Sequence, residues 1–152
     1  SLMALNFFDD TKLENVNEQI LTQSKDVGEI IELFNTVLNT VSYDNYPISS
    51  EAVVQQLLYM YLKGICNSVT AELHSSKGRA DLVVESDIRR IVFEFKYAQN
   101  ETEAKAKLSE AVEQIKTRDY GNILPKKNEL LRIAAVFNAD PKVRSFTEYQ
   151  QV

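Results

Sequence analysis

The apolar side chains in the first 45 residues recur at helical spacing. Downstream of Asp26 they stand three or four residues apart and form one stripe along a helix face: Ile30, Ile31, Phe34, Val37, Leu38 and Val41. Asp26 is followed three residues later by Glu29, a pairing typical of a capping box, so a helix is expected to begin there. Residues 1–47 are therefore predicted to form an N-terminal helical segment.

A second helix is predicted after a loop at residues 42–47. Ser49 or Ser50 can cap its N-terminus, its apolar positions continue to about Lys63, and Gly64 is expected to stop it. Its apolar residues are spread around the helix, which indicates burial on most sides.

The pattern changes to period two at Val69, where runs rich in Val, Ile and Phe begin. These runs predict four strands, at residues 69–73, 81–85, 90–97 and 133–137. Residues 103–118 return to helical spacing before the last strand, and Gly121 and Pro125 are expected to end that helix. The tail from Pro141 is weakly patterned. The order predicts an α/β fold, a mixed sheet of about four strands flanked by helices.

The two middle strands form a hairpin that sorts its side chains by polarity. With a turn centred between Asp87 and Ile88, Leu82 pairs with Phe93 and Asp81 stands opposite Glu94. One face of the hairpin is then apolar: Leu82, Val84, Ile91, Phe93, Phe95 and Tyr97. The other face carries Asp81, Glu94 and Lys96.

These three residue types suit metal-assisted phosphate chemistry. Directly opposed residues have Cβ atoms about 4.5–5.5 Å apart, so two carboxylates there repel each other unless a cation lies between them. Magnesium binds to one or two carboxylates together with waters and phosphate oxygens. Lys96 could orient a water or offset phosphate charge without competing for the metal. The alternative interpretation is a solvated polar face on a two-stranded ribbon.

Composition narrows the choice of partners. The net charge is −5, but it is uneven: residues 1–95 carry 7 Lys/Arg and 14 Asp/Glu, whereas residues 96–152 carry 10 and 8. A nucleic-acid surface is therefore expected on the second part, with scattered solvated charge as the alternative. The lone Cys66 and lone His74 exclude an internal disulfide and a four-ligand zinc site, and both are expected to be structural. A reducing, cytoplasmic location and no membrane span are expected.

Three segments resemble the PD-(D/E)XK nuclease superfamily: GRADLVV at 78–84, VFEFK at 92–96 and QIKTRDY at 114–120. The likeness is strongest to the domain at the C-terminus of AAA-ATPase-like bacterial proteins. It implies a restriction-endonuclease-like core over residues 48–152, with residues 1–47 as a linker from an upstream ATPase region.

The resemblance also implies roles for individual residues. Asp81, Glu94 and Glu51 would bind Mg²⁺ or Mn²⁺, and Lys96 would be the catalytic lysine. Gln114 and Tyr120 would support the site, with a surface amide and a packing aromatic as the alternatives. For Glu51 the alternative is a first-turn glutamate favoured by the helix dipole. Arg79 would either contact phosphate or pair with an acid, and Gln55 stands where such domains often have His.

The leading hypothesis is a Mg²⁺-dependent nuclease domain that hydrolyses phosphodiester bonds in DNA. The alternative is a catalytically inactive nuclease-fold module that binds DNA or docks onto an ATPase region. A purely structural interaction domain and a homo-oligomer stay open. The chain has no Gly-x(4)-Gly-Lys-Ser/Thr motif, so an ATPase partner would lie outside these 152 residues.

Overall fold

A computed structural model describes residues 14–41, 47–65, 68–76 and 79–152; the side chains of residues 14–16, 65, 74–76 and 79–81 lie outside that description. Four helices are described: α1 (Glu14–Gln23), α2 (Val27–Asn39), α3 (Glu51–Ile65) and α4 (Glu101–Arg118). Five strands are described: β1 (Thr70–Ser76), β2 (Arg79–Glu85), β3 (Arg89–Ala98), β4 (Glu129–Asn138) and β5 (Ser145–Gln151). Cys66 and most of the predicted loop at 42–47 fall outside the described residues. Within the described part, no helix is long and apolar enough to cross a bilayer.

The strands form one mixed sheet in the order β1-β2-β3-β4-β5. Only β3 and β4 are parallel, and α4 connects them; the other neighbours are antiparallel. The predicted mixed sheet is confirmed, but it has a fifth strand in the tail after Pro141, where the weak sequence pattern predicts none. That strand, β5, is at the sheet edge and buries only Phe146, so its sequence lacks the apolar alternation of a half-buried strand.

The predicted helix starts are confirmed at α2 and α3. Asp26 accepts a hydrogen bond from Gly28 N at 2.9 Å, and Ser50 Oγ accepts one from Val53 N at 3.3 Å. The reciprocal half of a capping box is replaced, because Asp26 N donates to Ser24 Oγ. The predicted stop at Gly64 is wrong, since α3 continues to Ile65.

The helix α4 begins two residues earlier than predicted and ends where predicted. Asn100 caps its start by accepting a hydrogen bond from Glu103 N at 2.9 Å. Its last residue is Arg118, and Asp119 follows in the left-handed conformation at φ 49°, a position that glycine often takes. Gly121 comes two residues later.

The sheet separates two apolar layers. One face is covered by α1, α2 and α3, and its core centres on a group of aromatic rings whose centroids lie 5.0–6.3 Å apart: Phe34, Phe93, Phe95, Phe137 and Phe146. The other face is covered by α4, whose predicted apolar stripe packs against Ala134 and Val136 of β4. The central strand β3 therefore contributes side chains to both layers.

The N-terminal helices share the core of the sheet. Leu21 of α1 and Ile30 of α2 belong to the same buried cluster as Phe93. The buried amide of Asn35 on α2 also bonds to the backbone of β5, because its Nδ2 donates to Phe146 O at 3.2 Å and its Oδ1 accepts from Phe146 N at 2.7 Å. These contacts join α1 and α2 to the sheet.

Two consecutive buried arginines begin β3, and their side chains leave the strand on opposite faces. Arg89 donates to Leu21 O at 3.3 Å and Ser24 O at 2.7 Å, and it pairs with Glu129 at 2.8 Å. It therefore holds the end of α1 against the face of the sheet that α1, α2 and α3 cover.

We predict that Arg89→Met lowers the free energy of unfolding by about 3 kcal/mol, because it removes a charge-assisted pair together with the donor for two carbonyls. Denaturant unfolding monitored by circular dichroism measures the loss. The matched control is Arg132→Met, which breaks the more exposed pair with Asp119 (2.9 Å) and should change stability by less than about 1 kcal/mol. Equal losses for the two variants would contradict this account.

Candidate active site

The β2–β3 hairpin has the predicted register. Leu82 pairs with Phe93 and Val84 with Ile91, and the turn is closed by Ser86 N donating to Arg89 O at 2.9 Å. The predicted apolar face is confirmed, because its members join or pack against the aromatic core under α1–α3. Side chains alternate along a strand, so Glu94 and Lys96 project from the opposite face.

Asp81 lies on β2 immediately before Leu82. Its backbone pairs with His74 on β1, and the described pairing of β2 with β3 begins at Leu82 and Phe93. The side chains of His74, Arg79 and Asp81 lie outside the described residues. The expectation that the Asp81 carboxylate stands opposite Glu94 thus stays a prediction.

Glu94 and Lys96 are brought together under α4. They pair with Ala134 and Val136 of β4, two residues that pack against α4. The Glu94 side chain is 1% exposed and that of Lys96 is 11% exposed, with Lys96 Nζ 3.6 Å from Glu94 Oε1. The alternative of a solvated polar face is wrong for these two residues.

Burial gives this pair its chemical character. A carboxylate transferred out of water is strongly disfavoured unless a cation or hydrogen-bond donors compensate it. Lys96 supplies a cation near Glu94, but at 3.6 Å it is longer than a strong charge-assisted hydrogen bond. The pair therefore offers a desolvated oxygen ligand beside a fixed positive charge, the combination that binds a hard cation and an anionic phosphate.

Gln114 and Tyr120 lie over the same face of the sheet. Gln114 is a half-buried residue of α4, one position before Ile115, which packs on Ala134. Its Oε1 is buried, with no hydrogen-bond donor among the described residues. Tyr120 follows the end of α4 and packs against the same small cluster. Their supporting roles stay predictions.

Glu51 is the first residue of α3, which packs on the opposite face of the sheet from α4. The hydroxyl of Tyr97, next to Lys96, donates to Ile48 O at 3.2 Å and so ties the segment before α3 to the end of β3. Glu51 is half-buried three residues later, and Gln55 is buried one turn further on. The structure thus brings the start of α3 to the end of β3 that carries Lys96.

Sequence reasoning missed Arg90, which shares the face of Glu94. It is buried, pairs with Glu85, and donates to Gly121 O and Ile123 O at 2.9 Å and to Pro125 O at 2.8 Å. It fixes the loop between α4 and β4. The signal was the pair of adjacent arginines opening an apolar strand, since one of them must enter each layer.

Carboxylate oxygens suit a divalent cation in type, but the described side chains supply only part of the predicted set of metal ligands. Among the described side chains, no three His, Cys, Asp or Glu residues converge on one point. The predicted set draws on Asp81, whose side chain is outside that part of the chain. Glu94 is the carboxylate for which burial and charge compensation are described.

We predict that Glu94 and Lys96 are energetically coupled. Lys96→Met should destabilise the fold less when Glu94 is already Gln, by about 1–2 kcal/mol, because the buried charge it compensates is gone. The coupling is measured by urea unfolding in the presence of a chelator. The wild type, both single variants and the double variant are compared. The Lys105 and Glu101 pair of α4, largely exposed at 3.4 Å, is the control and should show less than about 0.5 kcal/mol. Additive losses at Glu94 and Lys96 would contradict the coupling.

Comparison with known proteins identifies the family. Among curated proteins, none matches the chain. The profile of the PD-(D/E)XK nuclease superfamily matches residues 49–147, which is more than half of the chain. The match runs from just before α3 into β5 and includes both Glu94 and Lys96. A five-stranded mixed sheet flanked by helices agrees with the restriction-endonuclease-like fold that the sequence resemblance implied. This chain belongs to the PD-(D/E)XK nuclease superfamily.

Proposed function

We propose that the chain is a divalent-metal-dependent nuclease domain that hydrolyses phosphodiester bonds in DNA. The observation that carries the proposal is the buried Glu94–Lys96 pair on the central strand. Two buried charged residues between apolar neighbours on a strand lower stability unless they are compensated, and a functional site is a common reason to retain them. The superfamily match supports the reaction class.

Asp81 and Glu94 would hold the cation, Mg²⁺ or Mn²⁺, with Glu51 as a third ligand from α3. When bound, the ion makes a water molecule more acidic and offsets negative charge on the phosphate. Lys96 lies beside Glu94, where it would orient the attacking water and stabilise charge on the scissile phosphate. The buried Glu94 carboxylate, a hard oxygen donor, fits such an ion in type.

The wider setting of the domain is also part of the proposal. We place it in the cytoplasm, downstream of an ATPase region of the same protein. The supports are the lone cysteine, typical of a reducing compartment, and the resemblance of the DVGEIIELFNTVL segment to the linker of such proteins.

We predict that Asp81→Asn, Glu94→Gln and Lys96→Ala each lower cleavage of DNA by about 100-fold or more, because each removes a cation ligand or the fixed positive charge. Gel assays with Mg²⁺ or Mn²⁺ measure the rates, and a chelator should abolish wild-type cleavage. Glu113→Gln and Lys105→Ala, exposed positions on α4, are the charge-matched controls and should keep wild-type rates. Cleavage that survives both Asp81→Asn and Lys96→Ala would refute the assignment.

A second prediction concerns the buried oxygen of Gln114. Gln114→Met should raise the free energy of unfolding by about 1 kcal/mol, because it removes a desolvated polar atom from the interior. The same change should lower cleavage by about ten-fold or more if that oxygen positions water or substrate. Gln56→Met, at an exposed position of α3, controls for the helix effect of the substitution. A stabilised variant with full activity would leave Gln114 outside the site.

A second candidate function is binding of nucleic acid without cleavage. One observation favours it: Lys96 already compensates the buried Glu94 in part, so the pair does not depend on an added ion for charge balance. Calorimetric titration with Mg²⁺ separates the two functions. Millimolar or tighter binding that Asp81→Asn abolishes favours the nuclease, and absence of metal binding favours the inactive module.

A further inference from the structure

Four cations lie close together in the sequence where α4 leads into β4. Lys116 and Arg118 lie in the last turn of α4, and Lys126 and Lys127 lie in the loop that follows. Across the described part of the chain, none of the four has an ion pair or hydrogen bond from its side chain. We call these four residues, with Ile123 and Leu124 between them, the loop surface.

The neighbouring carboxylates do not neutralise this surface. Asp119 pairs with Arg132 at 2.9 Å, and Glu129 pairs with Arg89 at 2.8 Å. Each acid is therefore compensated by an arginine outside the loop surface. A chain of net charge −5 thus carries, within residues 116–127, four cations without an ion pair to any described residue.

The two loop lysines border one pocket. Lys126 and Lys127 line a pocket of about 110 Å³ together with Gly121, Asn122 and Ile123, which follow directly on the end of α4. Two large apolar side chains project beside it: Ile123 is 55% exposed and Leu124 is 82% exposed. The loop therefore exposes two apolar side chains close in sequence to its two lysines.

The loop is held in one position from beneath. Arg90 pairs with Glu85 and donates to three of the loop's carbonyls, so movement of the loop would leave buried guanidinium donors without acceptors. Gly121 adopts φ 82°, and a Cβ there would lie 2.7 Å from side-chain carbons of Val92 and Leu130, so the loop lies tightly on the sheet. Exposed side chains on a fixed backbone lose less entropy when a ligand binds.

We propose that the loop surface binds the sugar-phosphate backbone of the nucleic acid on which the candidate active site acts. This inference rests on the proposed function. Arg90 and Glu94 share one face of β3 and are four residues apart, about 13 Å at the rise of a strand. That separation, taken along β3 to the arginine beneath the loop, corresponds to about four base steps of duplex, and the proposal places the loop surface on the path of a strand bound at Glu94. The cations bind phosphates, and Ile123 and Leu124 pack against sugar or base.

The helix dipole accounts for only half of this charge. Cations in the last turn of a helix are favoured by its negative end, which would explain Lys116 and Arg118 alone. Lys126 and Lys127 lie beyond the helix, so its dipole does not account for them, whereas an anionic partner would. An acidic protein segment would meet the same charges, and the experiment below separates it from nucleic acid.

The test compares two charge-matched quadruple variants in the full chain. The first replaces Lys116, Arg118, Lys126 and Lys127 by Gln; the control replaces Lys25, Lys63, Lys105 and Lys142, all exposed, by Gln. Binding of fluorescent duplex DNA, single-stranded DNA and RNA is measured by anisotropy in a chelator, from about 50 to 300 mM salt. Thermal unfolding checks that both variants keep the wild-type fold.

The first variant is expected to reduce the slope of log affinity against log salt by about 3–4 for duplex, nearly one unit for each lost phosphate contact, and the control by less than about 1. Leu124→Ser is expected to weaken binding about five-fold with an unchanged slope, because its contact is apolar. Equal slopes for the two quadruple variants, no nucleic-acid binding by wild type, or equally tight binding of polyglutamate would overturn the proposal.

The chelator prevents cleavage in this binding assay, so the nuclease assignment and the loop-surface proposal can be refuted independently. Salt-dependent binding through the loop surface without any cleavage in Mg²⁺ or Mn²⁺ would refute the nuclease assignment alone. Cleavage that depends on Asp81 and Lys96, with binding unaffected by the first variant, would refute the loop surface alone.

Discussion

Burial of β3 on both faces is the constraint on which the rest of the structure depends. A strand covered on one side by α1–α3 and on the other by α4 has no solvated face on which charged side chains can rest. Its four charged residues must each find compensation within the protein. Arg89 and Arg90 find it in carboxylates and loop carbonyls, and Glu94 and Lys96 find part of it in each other.

The same constraint distinguishes charged residues that stabilise the fold from charged residues suited to binding or catalysis. The two arginines make short hydrogen bonds that join remote segments of the chain to the strand, which is a structural role. The Glu94–Lys96 contact is longer, at 3.6 Å, and joins two side chains of the same strand rather than remote segments. A cation attracts a desolvated carboxylate more strongly than the same group in water, so burial suits this position to binding a cation.

The sequence predicts features that depend on the local alternation of apolar and polar residues. It misses features that depend on contacts between residues far apart in the chain. Alternation along the hairpin is enough to set the pairing of Leu82 with Phe93, because a slip of one residue would turn charged side chains into the aromatic core and apolar side chains away from it. It cannot reveal β5, which buries only Phe146. The partners of Arg90 are backbone carbonyls, which carry no mark in the sequence. The depth of Gln114 is likewise set by how closely α4 sits on Ala134.

The amide of Asn35 has a consequence for the outer edge of the sheet. An edge strand exposes unpaired N–H and C=O groups that can template a strand from another molecule. Asn35 occupies the N–H and the C=O of Phe146 with one planar group and so imitates a further strand at that point. With α2 over it, this part of β5 is closed to strand exchange and to growth of an intermolecular sheet. The N-terminal helical segment thus covers one point of the sheet edge at which another chain could otherwise pair.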